Sequence, residues 1–151
     1  MATAIEVRDL TKRYGELVAV AGVSFRVERG ECFGILGPNG AGKTTTLEMI
    51  EGIRRPDAGK VEVLGASPWP RNPALLRRVG VQLQATAFIE HLSAIEQLRT
   101  VTDLYDVPHA RAGAVLEQVG LSACADQDVD DLSGGQRQRL SIACALVHSP
   151  E

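Results

Sequence analysis

Cysteine, histidine, tryptophan and long apolar runs are all scarce in this sequence, and each shortage removes a class of protein. The three cysteines, Cys32, Cys124 and Cys144, are odd in number, widely spaced and without a C-x-x-C pair. That pattern argues against a disulfide framework or a zinc site and predicts reduced thiols acting as small buried hydrophobes. The three histidines, His91, His109 and His148, share no metal-ligand spacing and read as surface or loop residues. Trp69 is the only tryptophan, and its setting among prolines suits a packed or loop-anchoring side chain better than a binding platform. No apolar run approaches the roughly 20 residues needed to span a bilayer, and the N-terminus lacks the charged-then-apolar layout of a signal peptide. Any membrane role is therefore expected to come through a partner. Lysine and arginine are scattered without a basic block, which argues against nucleic acid as that partner.

What is present suits one globular domain. The 151 residues are 44% apolar and 23% charged, near the usual averages. A chain of this length buries about 68–70% of its unfolded surface, enough for a core. Apolar residues alternate at Ile5 and Val7, with Leu10 a further candidate, and a β-rich stretch covers 17–27, so two antiparallel strands are expected. The turn chemistry of Arg55-Pro56-Asp57-Ala58-Gly59 precedes a strand candidate over 60–64, a loop covers 65–73, and Val79, Val81 and Leu83 alternate as a short strand ending near Gln84. Helical spacing then takes over, with segments at about 92–105 and 110–120 divided by Pro108. A third helix runs from about Ser133 to Val147 and is ended by His148-Ser149-Pro150.

The most informative residues are Gly37-Pro38-Asn39-Gly40-Ala41-Gly42-Lys43-Thr44, which fit the phosphate loop G-x-x-x-x-G-K-[ST] at every required position. Before them, Cys32, Phe33, Ile35 and Leu36 make the short apolar run of a strand buried in a parallel sheet. After them a helix to about Glu51 is expected, with Gly52 as its C-cap. Glycines at 37, 40 and 42 let the backbone approach an anion with its N–H groups inward, the helix N-terminus adds partial positive charge, and Lys43 adds a full one. Thr44, Thr45 and Thr46 are poor helix starters, so hydroxyl chemistry must account for them. In this motif Thr44 ligates Mg²⁺ and Thr45 can bond a phosphate oxygen. The net charge of −3 does not oppose this, because screening acts over about 8 Å and groups in direct contact decide.

Some 90 residues after Lys43, Leu132-Ser133-Gly134-Gly135-Gln136 spells LSGGQ and continues as Arg137-Gln138-Arg139. Physically this predicts a second helix N-terminus, with a free hydroxyl at Ser133 and exposed N–H groups at Gly134 and Gly135. The two motifs together resemble the nucleotide-binding subunits of ATP-binding cassette (ABC) transporters. Residues 37–46 and the compact helical region look most like bacterial ABC-2-type exporter ATPases. The resemblance implies an α/β fold, a P-loop NTPase core with an antiparallel β subdomain and an inserted α-helical subdomain, incomplete at the C-terminus. On that pattern 1–84 is the nucleotide-binding core, 85–132 the helical subdomain and 133–151 the signature helix returning to the core.

The resemblance also implies ATP and Mg²⁺ as cofactors. ATP would lie between Gly37, Pro38, Asn39, Gly40, Ala41, Gly42, Lys43, Thr44 and Thr45 of one subunit and Ser133, Gly134, Gly135 and Gln136 of another, so that a homodimer forms head to tail with nucleotide. Tyr14, in Lys12-Arg13-Tyr14-Gly15, resembles the aromatic that stacks on adenine. Gln84 resembles the glutamine that touches Mg²⁺ and the attacking water, with Gln82 as a rival. Residues 85–88 would join the surface that grips a transmembrane permease at the cytoplasmic face of the membrane. The chain departs from the family in reaching Glu151 before the apolar strand ending in Asp-Glu, so negligible ATPase activity is expected of these residues alone. An importer ATPase, a soluble relative acting on ribosomes or nucleic acid, and a non-hydrolysing nucleotide-binding module are the competing readings.

Overall fold

A computed structural model describes residues 2–82 and 88–151. They form two compact units, Met1–Leu76 and Arg77–Glu151.

In the first unit, β1 (Thr3–Tyr14) pairs antiparallel with β2 (Leu17–Glu28) on one side and with β3 (Ala58–Val63) on the other. The expected alternation is present, but it is interrupted. Two residues of β1 lie between Val7 and Leu10 where only one of β2 lies between Phe25 and Val23, so β1 carries one extra residue. Asp9 takes a positive φ of 48° there, and its N–H donates to Ser24 Oγ at 2.8 Å. The bulge is why both Val7 and Leu10 face inward despite their odd spacing. It also explains Gly59, where a Cβ would lie 2.4 Å from the Asp9 carbonyl oxygen. Val7, Leu10, Val20, Val27, Val61 and Val63 are buried together with Met49 of α1 (Lys43–Ile50). Each such side chain contributes roughly 1.5–3 kcal/mol on burial. A short helix α2 (Pro73–Leu76) closes the unit by burying Leu75.

Two further expected strands are not found among the described residues. Residues 31–36 and 79–82 have no strand structure, while Leu83 and Gln84 lie outside the described residues. Phe33 stacks on Phe25 with ring centroids 4.9 Å apart, yet Phe33 is 43% exposed and Leu36 93% exposed. The cause is the lack of a partner: among the described residues the only sheet is the antiparallel β2-β1-β3 set, and no parallel neighbour faces 31–36. Cys32 is likewise exposed rather than buried.

The second unit is helical. Helices α3 (Ala94–Tyr105), α4 (Ala110–Gln118) and α5 (Gly134–Leu146) pack around Leu98, Val115, Leu116, Leu121, Leu140 and Ala143. Ser93 starts α3 with a reciprocal capping box, its hydroxyl accepting from the Glu96 N–H while the Glu96 carboxylate accepts from the Ser93 N–H at 2.9 Å. Asp106, in the left-handed conformation, ends α3. Arg139 on α5 donates to the carbonyl oxygens of Val119 and Gly120 at 3.2 and 2.9 Å, tying α5 to the end of α4.

Candidate functional site

The phosphate loop is held on the sheet by its own glycine. Gly42 has φ 78°, and a Cβ on it would lie 2.1 Å from the Ala19 carbonyl oxygen and 3.1 Å from Val20 Cγ2 on β2. Only glycine lets the backbone sit that close. Gly40 also lies in the left-handed region, at φ 82°, and the Ala41 N–H closes the loop onto Pro38 O at 3.3 Å. Lys43 folds back over it, its ammonium donating to Gly37 O at 2.8 Å and Pro38 O at 2.7 Å.

Helix α1 begins at Lys43 with Gly42 as N-cap and no side-chain cap, so the N–H groups of its first turn are left for an outside acceptor. The three threonines divide by role. Thr46 is buried and its hydroxyl donates to Gly42 O at 2.9 Å. Thr44 is exposed and Thr45 half-buried. An ammonium, uncapped amides and two hydroxyls at one helix end are a donor set that fits a polyphosphate with its divalent cation.

Tyr14 ends β1 and faces Leu17 across the hairpin, with Gly15 at φ 59° making the turn. Leu17 precedes Ala19, the residue Gly42 leans on, by two positions, a rise of about 7 Å along a strand. The ring is 41% exposed.

In the second unit Ser133 is the N-cap of α5. Its Oγ accepts from the Gln136 N–H at 3.3 Å, and Gln136 Oε1 accepts from the Ser133 N–H at 2.7 Å. The hydroxyl expected to be free is therefore already engaged as an acceptor, because a serine three residues before a glutamine closes a capping box. Ser133, Gly134 and Gly135 are all exposed. Gln136 points inward instead, its Nε2 donating to Cys124 Sγ at 3.1 Å.

A family model described as ABC transporter matches residues 20–151. The chain belongs to the ABC transporter family. It is 44% identical over 153 residues to the Nod factor export ATP-binding protein I of Paraburkholderia xenovorans strain LB400, a match covering 98% of this chain and 50% of that protein. It is 37% identical to the linearmycin resistance ATP-binding protein LnrL of Bacillus subtilis strain 168, covering 97% of this chain and 49% of that one. Among solved structures it is similar to cbiO1 of Clostridium perfringens, described as part of the ABC transporter complex cbiONQ, with TM-score 0.88, 25% identity and coverage of 99% and 63%. An ATP-binding subunit of an ABC transporter matches with TM-score 0.84, 27% identity and coverage of 97% and 63%. The chain spans about half the length of the curated relatives.

Within this ABC-family chain, Tyr14 and residues 37–45 share the first unit and Ser133–Gln136 stand in the second. Gln84 lies outside the described residues, and its rival Gln82 is exposed in a segment without regular structure. Sequence reasoning overlooked Arg54, whose Cζ lies 5.4 Å from the Tyr14 ring centroid, and Lys12, whose Nζ lies 5.8 Å from it. The Arg54 contact has no local signal, because Arg54 is 40 positions from Tyr14. The fold also brings His91, Asp128 and Asp130 together, their donor atoms within 4.8 Å of one another, although the histidines show no ligand spacing in sequence.

Proposed function

We propose that the chain is the ATP-binding part of an ABC transporter subunit that couples ATP binding and hydrolysis to substrate movement through a separate transmembrane permease. The observation that carries this reading is the N-terminus of α1, uncapped by any side chain and placed beside the Lys43 ammonium. Residues 37–45 hold the triphosphate through backbone amides, the Lys43 charge and the Thr45 hydroxyl, and Tyr14 takes the adenine. Thr44 and Gln84 hold Mg²⁺, which neutralises phosphate charge when bound. Lys43 must then exchange its two carbonyl partners for phosphate oxygens. Each charge-assisted hydrogen bond of this kind contributes about 1.5–3 kcal/mol.

Ser133, Gly134 and Gly135 of a second copy contact the same nucleotide, so pairing depends on ATP. Gln136 supports that contact from behind through the capping box rather than by touching the ligand. Export is the favoured direction, because relatives that match nearly the whole chain are named for Nod factor export and linearmycin resistance. The protein then works at the cytoplasmic face of a membrane, with no nucleic acid involved. No helix among the described residues is long and apolar enough to cross a membrane.

The test is a titration with a fluorescent ATP analogue. Wild type binds it and Lys43→Ala does not; equal affinity for the two would overturn the assignment. Sedimentation with and without ATP tests the pairing, and a Ser133→Arg variant that still associated on adding ATP would remove Ser133 from the interface.

A further inference from the structure

We propose that Arg54 is a positioning residue for Tyr14: it fixes the ring relative to the helix that begins in the phosphate loop, and so sets how strongly the site favours a base-bearing nucleotide over a bare triphosphate. The proposal rests on reading Tyr14 and residues 37–45 as the ATP site.

The geometry begins at the end of α1. Gly52, at φ 72°, donates its N–H to Met49 O at 3.3 Å, while the N–H groups of Ile53 and Arg54 both reach Glu48 O, at 2.9 and 3.0 Å. This is a Schellman turn. The space beside Gly52 is closed, since a Cβ there would lie 2.7 Å from Pro68 O, so glycine alone can turn the chain at this point. The turn sends Arg54 back along α1, where its Nε donates to the Glu48 carboxylate. Glu48 thus holds Arg54 twice, by carbonyl oxygen and by side chain. From that anchor the guanidinium reaches the Tyr14 ring, 5.4 Å from its centroid.

The second cation near the ring behaves differently. Lys12 stands two residues before Tyr14 on β1, and its ammonium is paired with Asp57 at 2.8 Å. Asp57 also accepts the Arg13 N–H at 2.7 Å, and the Lys12 ammonium, helped by that N–H, holds the Asp57 carboxyl below its ordinary range. Lys12 therefore moves with β1, as Tyr14 does. Arg54, anchored on Glu48 of α1, links the ring to the helix whose first residue is Lys43. Tyr14 ends its strand beside a glycine turn and is 41% exposed, so apolar packing alone leaves its ring loosely placed. A cation over an aromatic face contributes an attraction that is directional and does not consume the whole ring surface. An arginine held by a carboxylate keeps its charge in place and adds little free motion of its own.

The experiment compares affinities for ATP and for inorganic tripolyphosphate in wild type, Tyr14→Ala, Arg54→Ala, Arg54→Lys and the double variant Tyr14→Ala/Arg54→Ala. Arg54→Ala weakens ATP binding about three- to fivefold, the size expected of an exposed cation–π contact, and leaves tripolyphosphate binding unchanged. Arg54→Lys recovers most of the loss, and the double variant binds ATP no more weakly than Tyr14→Ala alone. Equal weakening of both ligands would make Arg54 a charge that acts on phosphate and would overturn the proposal. So would additive losses in the double variant, or tighter ATP binding by Arg54→Ala, which would show the guanidinium occupying the place of the base. If Tyr14→Ala leaves the ATP-to-tripolyphosphate ratio unchanged, the reading of Tyr14 itself has failed and the role of Arg54 goes with it. If neither ligand binds wild type, the phosphate-loop reading has failed first. Should Arg54→Ala melt early, Glu48→Ala reads the same ratio by removing the side-chain acceptor that anchors Arg54, and an unchanged ratio there sinks the proposal equally.

Discussion

Gly42 and Ala19 approach so closely that a Cβ on the glycine would lie 2.1 Å from the alanine carbonyl oxygen. The phosphate loop is thereby seated on β2. Gly42→Ala adds both a backbone clash and a left-handed φ that alanine resists. We expect a loss of about 2–4 kcal/mol in the first unit, or a displaced loop that no longer binds nucleotide. Thermal melting with and without ATP checks this, and a variant that melted normally and was still stabilised by ATP would show that the loop is not fixed there.

Ser133 is held to a structural task as well as the proposed ligand contact, and substitutions separate the two. Ser133→Ala removes the cap of α5 and costs about 1 kcal/mol, or roughly 2–4 °C in melting temperature for a chain of this size. Ser133→Asp keeps a capping oxygen but places a negative charge toward phosphate. It is expected to melt like wild type and to lose ATP-dependent association. Association retained by Ser133→Asp in sedimentation would leave Ser133 with the cap alone.

The ring of His148 stacks on Tyr105 at 3.9 Å between centroids, and its Nε2 bonds Val79 O at 3.2 Å, while its Nδ1 is buried without a partner. Burial holds its pKa below the ordinary 6.5, against the smaller opposing effect of the Val79 carbonyl. The unfolded chain takes this proton near pH 6.5 and the folded chain only at lower pH, so between the two values the unfolded state holds more protons. The stability is full above about pH 6.5 and is lost as pH falls through the folded pKa. Glu6 and Glu96, held below their ordinary 4.5 by Arg26 and by Ser93, lose theirs as pH falls below that value. Melting curves of wild type and His148→Phe between pH 7.5 and 5.5 isolate the effect; the phenylalanine variant is expected to lack the loss that wild type shows.

Thiol chemistry separates Cys32 from Cys144. Cys32 is exposed, whereas burial pushes the Cys144 thiol up to about 11 from an ordinary 9.0. Two pH units lower its thiolate fraction about a hundredfold near neutral pH. A colorimetric thiol titration at pH 8 is expected to label Cys32 quickly and Cys144 only after unfolding. Rapid native labelling of a Cys32→Ser/Cys124→Ser variant would contradict the burial of Cys144.

The phosphate loop, LSGGQ, the β1–β2 hairpin and helices α3 to α5 were legible because each depends on neighbours a few positions away. A glycine spacing, a serine three residues before a glutamine, or a 3.6-residue apolar stripe carries its own physics. The bulge between Val7 and Leu10 was not legible, because an alternating pattern does not say where a strand takes an extra residue. Residues 31–36 and 79–82 misled because their apolar pattern records burial against something without naming it, and a strand exists only where a second backbone accepts its hydrogen bonds.

The amino-acid order by itself determined the chemistry available at two helix ends: the amides, the ammonium and the hydroxyls of 37–45, and the serine-glycine corner at 133–135. Tertiary structure alone decided that Gly42 rests on Ala19, that Arg54 doubles back on Glu48 to reach Tyr14, and that Gln136 turns inward to Cys124 rather than outward. Those contacts join residues 6 to 40 positions apart through chain reversals, and local propensity carries no information about which distant atoms a reversal brings within reach.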